Sequence, residues 1–174
     1  SAGTFTLGVD AGDLNQDGVD DIVAVSRDDD TVRVFPSNGD GTFAPAQSFA
    51  TGDQPQRVLI SDASGDGVPD LLVANNGTAV SGSATLGVHV GTGGGIFADS
   101  VLYVTGRSPR TIAEGDFDND GVVDYAVACV ANNPDVNTHL NFGTPEITVS
   151  QTSYDFGTFE LGTGDTFDVT IGNV

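Results

Sequence analysis

Lysine, methionine and tryptophan are absent from this 174-residue chain, cysteine occurs once, and histidine and tyrosine occur two and three times. Each gap excludes something. Five arginines are the only fixed cations against 25 acidic residues, 22 of them aspartate, and the formal charge is −20. Such a chain repels nucleic acid and anionic membrane surfaces, so neither is an expected partner. No apolar run approaches the roughly 20 residues that a membrane-spanning helix needs, and no membrane insertion is expected. The one thiol, Cys129, sits in the apolar run Tyr125-Ala126-Val127-Ala128-Cys129-Val130 with no second cysteine to pair with, and reads as a small core hydrophobe. No nucleophile stands beside a base and no poised carboxylate pair stands out, so no catalytic residue is expected. The chain opens at Ser1-Ala2-Gly3-Thr4, without initiator methionine or leader, and reads as processed or excised.

What the chain has in quantity is aspartate at regular spacing. Asp13-Leu14-Asn15-Gln16-Asp17-Gly18-Val19-Asp20-Asp21 places oxygen side chains at positions 1, 3, 5 and 9 of a tight turn. Asp62-Ala63-Ser64-Gly65-Asp66-Gly67-Val68-Pro69-Asp70 and Asp116-Phe117-Asp118-Asn119-Asp120-Gly121-Val122-Val123-Asp124 repeat it, always with Gly at position 6 and Val at position 7. Ca²⁺ is a hard cation that takes about 6 to 8 oxygens, and alternate side chains on a curled loop supply them. Gly at position 6 permits the sharp turn that brings the position 7 carbonyl inward. The expected metal residues are thus Asp13, Asn15, Asp17, Val19 and Asp21; Asp62, Ser64, Asp66, Val68 and Asp70; and Asp116, Asp118, Asp120, Val122 and Asp124. Mg²⁺, which demands near-ideal octahedral geometry and keeps its waters, fits such a cage less well. About three Ca²⁺ ions are expected. Eleven of the aspartates lie in these loops, and three bound Ca²⁺ ions would bring the charge from −20 to −14.

An EF-hand is excluded, because position 12 is Ala24, Val73 or Val127 rather than a bidentate Glu, and strand-like residues follow each loop. Position 9 must therefore supply the closing carboxylate. The first aspartates lie 49 and then 54 residues apart, the period of a multi-stranded repeat. Each unit reads as a short strand (with Val9, Val58 or Ile112), the loop, a strand apolar on both faces, a third strand, and a fourth. The third strands are expected at Thr31 to Phe35, Leu86 to Val90 and Thr138 to Phe142, the fourth near Gln47 to Ala50 and Val101 to Val104. Glycine turns ending on Phe43 and Phe97 lie between. Four strands in about 50 residues is the blade of a β-propeller, so the expected class is all-β.

The Asp-x-Asn-x-Asp-Gly-x-x-Asp loop together with Asn38-Gly39-Asp40-Gly41-Thr42-Phe43 resembles the FG-GAP/VCBS-type repeat over about residues 1–143. That family includes the calcium-binding propeller blades of integrin α subunits and of many bacterial surface proteins. The resemblance implies Ca²⁺ ligation by positions 1, 3, 5, 7 and 9, with Ser64 marking the weakest loop, and three blades are too few to close a ring. Pro145 marks a boundary, and the alternating residues of 144–174 resemble the opening strands of a bacterial immunoglobulin-like β-sandwich.

His89 and His139 occupy equivalent third-strand positions and read as strand residues rather than ligands. Arg57 and Arg110, before the second and third loops, are expected to partner the acidic loops. The expected function is a non-catalytic, extracellular, calcium-binding structural or adhesive protein. Its expected partners are proteins, including other copies joined by strand addition from residues 145–174, or glycans. The alternative is a carbohydrate-binding or carbohydrate-active propeller domain of a larger secreted protein. The absence of Trp and scarcity of Tyr disfavour it, because sugar platforms use such rings.

Overall fold

The computed structural model describes residues 5–77, 84–130, 135–141 and 147–148, with side chains for 5–77 and 84–130. The first sheet is an antiparallel meander of β1 (Thr6–Gly12), β2 (Asp21–Ser26), β3 (Thr31–Phe35) and β4 (Gln47–Ala50). The second comprises β5 (Pro55–Ser61), β6 (Asp70–Asn75), β7 (Thr85–His89) and β10 (Val101–Val104). Between its last two strands lies a small hairpin, β8 (Gly91–Gly93) with β9 (Ile96–Phe97). The third sheet is β11 (Pro109–Gly115), β12 (Asp124–Cys129), β13 (Asp135–Asn141) and β14 (Ile147–Thr148). These are the expected four-stranded units, all-β throughout, and among the described residues they form no closed ring.

Boundaries agree closely with the residue pattern. The strands expected at Thr31 to Phe35, Gln47 to Ala50 and Val101 to Val104 are found with those limits, while the third strands of the second and third units start one and three residues early, at Thr85 and Asp135. Ile147 and Thr148, placed by sequence beyond the boundary at 143, pair with Asn141 and Leu140 as the fourth strand of the third sheet. The rest of the segment likened to an immunoglobulin-like module lies outside the described residues.

The loops lie between the first and second strands of each sheet, so the packing of those strands sets their positions. Every residue of β6 is buried. Leu71 and Val73 enter the core shared with the first sheet, alongside Val23, Val25, Val32, Val34 and Val58. Leu72 and Ala74 enter the core shared with the third, alongside Leu86, Ile112, Tyr125 and Val127. A strand has period 2, so a strand apolar on both faces binds two neighbours. Full burial stabilises each such Val or Leu by about 1.5–3 kcal/mol. Cys129 belongs to the second of these cores, as expected. Hydrogen bonds cross between sheets as well: Asp10 Oδ2 accepts the Ile60 amide at 3.0 Å, and the Tyr125 and Ser61 hydroxyls lie 2.8 Å apart.

Repetition extends to backbone strain. Phe5, Gln54 and Ser108, each preceding a first strand, all have positive φ (57°, 53° and 57°), and each of their carbonyls accepts an amide from beyond the second strand, Arg27, Asn76 or Val130.

His89 is fully buried opposite Leu71, in the register where Phe35 faces Ile22 and His139 faces Tyr125. Burial pushes its imidazole below the ordinary value, against the raising effects of the Ala98 carbonyl and Asp99. The unfolded chain therefore takes up the proton first. Stability is full above the ordinary value of about 6.5 and is lost as pH falls toward the folded-state value. Urea unfolding at pH 7.5 and 5.5 should show this loss in the native chain, and His89→Phe should reduce it. Equal pH sensitivity in both would contradict the assignment.

Candidate metal centre

Each loop is pinned by its own carboxylates. In the first, Asp13 accepts the amides of Asp17 (2.9 Å) and Gly18 (2.8 Å) on separate oxygens, and Asp17 Oδ1 accepts the Val19 amide at 2.9 Å. Asp62 does the same for Asp66 and Gly67, and Asp116 for Asp120 and Gly121. Asp66 and Asp120 in turn take the amides of Val68 and Val122. Carboxylate oxygens have two lone pairs each, so these bonds shape the loop and leave acceptor capacity for a cation.

Position 6 is left-handed glycine in all three loops, at φ 87°, 81° and 87° for Gly18, Gly67 and Gly121. Position 4 is left-handed too, at Gln16 (62°), Gly65 (71°) and Asn119 (62°). Spacing of the oxygen residues says nothing of this second turn. Asn and Gly at two of the three positions are the only signal for it, since both tolerate that region.

Position 9 differs from the rest. Asp21, Asp70 and Asp124 are buried, whereas the aspartates at positions 1 and 5 are half-buried or exposed. Asp21 accepts the Leu14 amide (3.2 Å) and the Ser37 amide (2.8 Å), and Asp70 accepts those of Ser64 (2.8 Å) and Gly91 (2.7 Å). Asp124 accepts the Phe117 amide at 2.8 Å. In the first and second loops the closing carboxylate thus ties the start of its loop to the second residue after the third strand, a link the loop spacing does not reveal. Burial pushes the Asp70 carboxyl up, opposed by the amides of Gly91 and Ser64.

Asp116, Asp118 and Asp120 bring carboxylate oxygens within 4.8 Å of one another, all exposed. In the other loops position 3 is Asn15 or Ser64, a neutral oxygen, which is why a carboxylate triad forms only in the third. Loss of solvent within the loop, together with the charges of Asp120, Asp124 and Asp116, pushes the Asp118 carboxyl up, against the lowering Asp120 amide. A divalent cation would relieve that repulsion, and hard oxygens in this number suit calcium. Val19, Val68 and Val122 follow the left-handed glycine in each loop, as a backbone ligand requires.

Neighbouring loops are joined unequally. Gln16 Nε2 donates to the Gly67 carbonyl at 2.8 Å, bridging the first and second. In Gln16's place the second loop has Gly65, and a cleft of about 550 Å³ separates it from the third, lined by Asp62, Ser64, Glu114 and Val122 among others.

The arginines are a correction. Arg57 donates to the Val9 carbonyl at 3.4 Å and Arg110 to the Gln56 side chain at 3.0 Å, so they join first strands of adjacent sheets rather than the acidic loops. They lie on β5 and β11, and those strands stack against neighbouring first strands, out of line with the loops. His89 lies in the core and His139 on β13, neither in a loop.

A family model described as an FG-GAP-like repeat matches residues 13–73 and 62–127, spans that together take in all three loops. None of the curated proteins compared with the chain matches it.

Proposed function

The chain belongs to the FG-GAP-like repeat family, and from that premise we propose that it is a non-catalytic, extracellular structural module whose loops bind calcium and stiffen the stacked sheets. The observation that carries this reading is the oxygen cluster of Asp116, Asp118 and Asp120 on a loop whose backbone is already folded by its own carboxylates. A cation there neutralises charge that the fold concentrates, and it links the end of β11 to the start of β12. The related loops at Asp13 and Asp62 hold further ions with fewer charges. Millimolar calcium outside cells suits modest affinity of this kind. Its partners are proteins, met through sheet faces and edges rather than through a substrate cleft.

Limited proteolysis tests the proposal. Calcium should slow cleavage within residues 13–21, 62–70 and 116–124, and chelator should restore it. Equal digestion in the two conditions, with the cut sites mapped by mass spectrometry, would refute a stiffening role.

A further inference from the structure

Gln16 stands at position 4 of the first loop, in the left-handed region that a residue with a Cβ rarely adopts. The loop's own oxygens hold it there. The amide that follows it, on Asp17, is accepted by Asp13 Oδ1 and by Asn15 Oδ1, both at 2.9 Å, and those side chains stand at positions 1 and 3 of the expected calcium set. From this turn the side chain crosses to the second loop, where Nε2 donates to the Gly67 carbonyl at 2.8 Å. A trans peptide points its carbonyl and its N–H opposite ways, and the Gly67–Val68 peptide is held at both ends. Gln16 takes the carbonyl and Asp66 Oδ1 the N–H, each at 2.8 Å. This peptide leads into Val68, whose carbonyl is the expected position 7 ligand, and Gly67 has no Cβ to restrict its rotation. The clamp therefore decides where the Val68 carbonyl aims. A second contact joins the same two loops. Asp70 Oδ1 holds the Gly91 amide, and the β8–β9 hairpin that begins there brings Gly95 to the first loop, where a Cβ on Gly95 would lie 3.6 Å from that of Asn15.

We propose that Gln16 is a positioning residue that couples the first two calcium sites, so that filling either one raises the affinity of the other. This rests on the calcium reading given above. Asp13 and Asn15, drawn to an ion, fix the turn that carries Gln16, and Gln16 fixes the Gly67–Val68 peptide. The second loop then has less freedom to lose when it binds, which is positive cooperativity. The coupling is reciprocal by thermodynamic necessity. The second loop has the most to gain, since it carries Ser64 at position 3 and Gly65, with the least restricted backbone, at position 4. Gly65 also has no side chain to reach toward the third loop as Gln16 reaches toward the second, so the third loop serves as an internal control. Repulsion between two cations opposes the effect, but it acts with or without the Gln16 amide, and comparing variants of residue 16 removes it.

Calcium titration of the isotope-labelled chain, followed by NMR at the amide signals of Gly18, Gly67 and Gly121, reads the three loops separately. Gln16→Gly keeps the left-handed turn and removes the amide donor. It should weaken the first and second loops by about 2- to 12-fold, the span of one net hydrogen bond, with the third unchanged. Asp17→Ala, which removes a ligand of the first loop at an exposed position, should weaken the second loop by a comparable factor when Gln16 is present. In the Gln16→Gly background the same change should move the second loop by less than about twofold. Gln16 acting only as a stabilising contact would lower the melting temperature in chelator without this cross effect. A Gln16→Gly variant that titrates like the native chain overturns the proposal, as does an Asp17→Ala effect on the second loop that is equal with and without Gln16. Loops that take up no calcium overturn it together with the calcium reading, whereas three loops that fill independently overturn the coupling alone.

Discussion

Asp70→Ala should destabilise the protein severely even with no calcium present. The carboxylate is fully buried, and its two oxygens hold the amides of Ser64, at the start of its loop, and of Gly91, after the third strand. Truncation strands both donors in a site water does not enter. Each stranded group costs about 1–3 kcal/mol, or roughly 2–6 kcal/mol together, against a total stability on the order of 5–15 kcal/mol. Asp66→Ala removes a carboxylate from the same loop at an exposed position. In chelator it forfeits one short-range bond to the Val68 amide, about 0.5–1.5 kcal/mol. Urea unfolding of both variants in chelator separates the cases. If they lose the same stability, the buried amide bonds of position 9 count for little.

Calcium removal should produce the second large effect. A ligand that binds only the folded state adds RT ln(1 + [L]/Kd), about 2.7 kcal/mol per site at a hundredfold excess. For a chain of this length that corresponds to roughly 5–10 °C in Tm for each filled loop. The third loop should fill first, because four carboxylates stand at its side-chain ligand positions (Asp116, Asp118, Asp120, Asp124) against three in each of the others. Its Asp118 is also crowded by like charges that an ion would offset. Thermal unfolding followed by circular dichroism, with and without chelator, should show the drop. Coincident curves would mean that the carboxylate-to-amide bonds hold the loops unaided.

Much of this architecture was legible in the residues because the repeat states it three times. Branched runs such as Asp21-Ile22-Val23-Ala24-Val25 and Asp70-Leu71-Leu72-Val73-Ala74 read as strands, and both are; the second is buried at every residue and the first at all but Ile22. The loop spacing gave the oxygen residues, and Gly at position 6 gave the turn. What stayed hidden has physical causes. The left-handed residues before each first strand are Phe5, Gln54 and Ser108, side chains that carry no signal for positive φ; tertiary hydrogen bonds to their carbonyls impose it. Arg57 and Arg110 stand near the loops in sequence, but the stacking of β5 on β1 and of β11 on β5 turns them toward the neighbouring first strand. The double duty of Asp21 and Asp70 needs the amides of Ser37 and Gly91, which lie 16 and 21 residues away and are placed by the third strand. Spacing within a loop cannot show a partner outside it.

Position within the loop, not acidity alone, is expected to decide which aspartates hold calcium. Asp120 and Asp20 test it, since both are exposed aspartates in their loops, at positions 5 and 8. Isothermal titration with calcium should show the tightest site lost in Asp120→Ala and every site retained in Asp20→Ala. A native chain that takes up no calcium, or an Asp120→Ala variant that titrates like the native chain, would contradict the account.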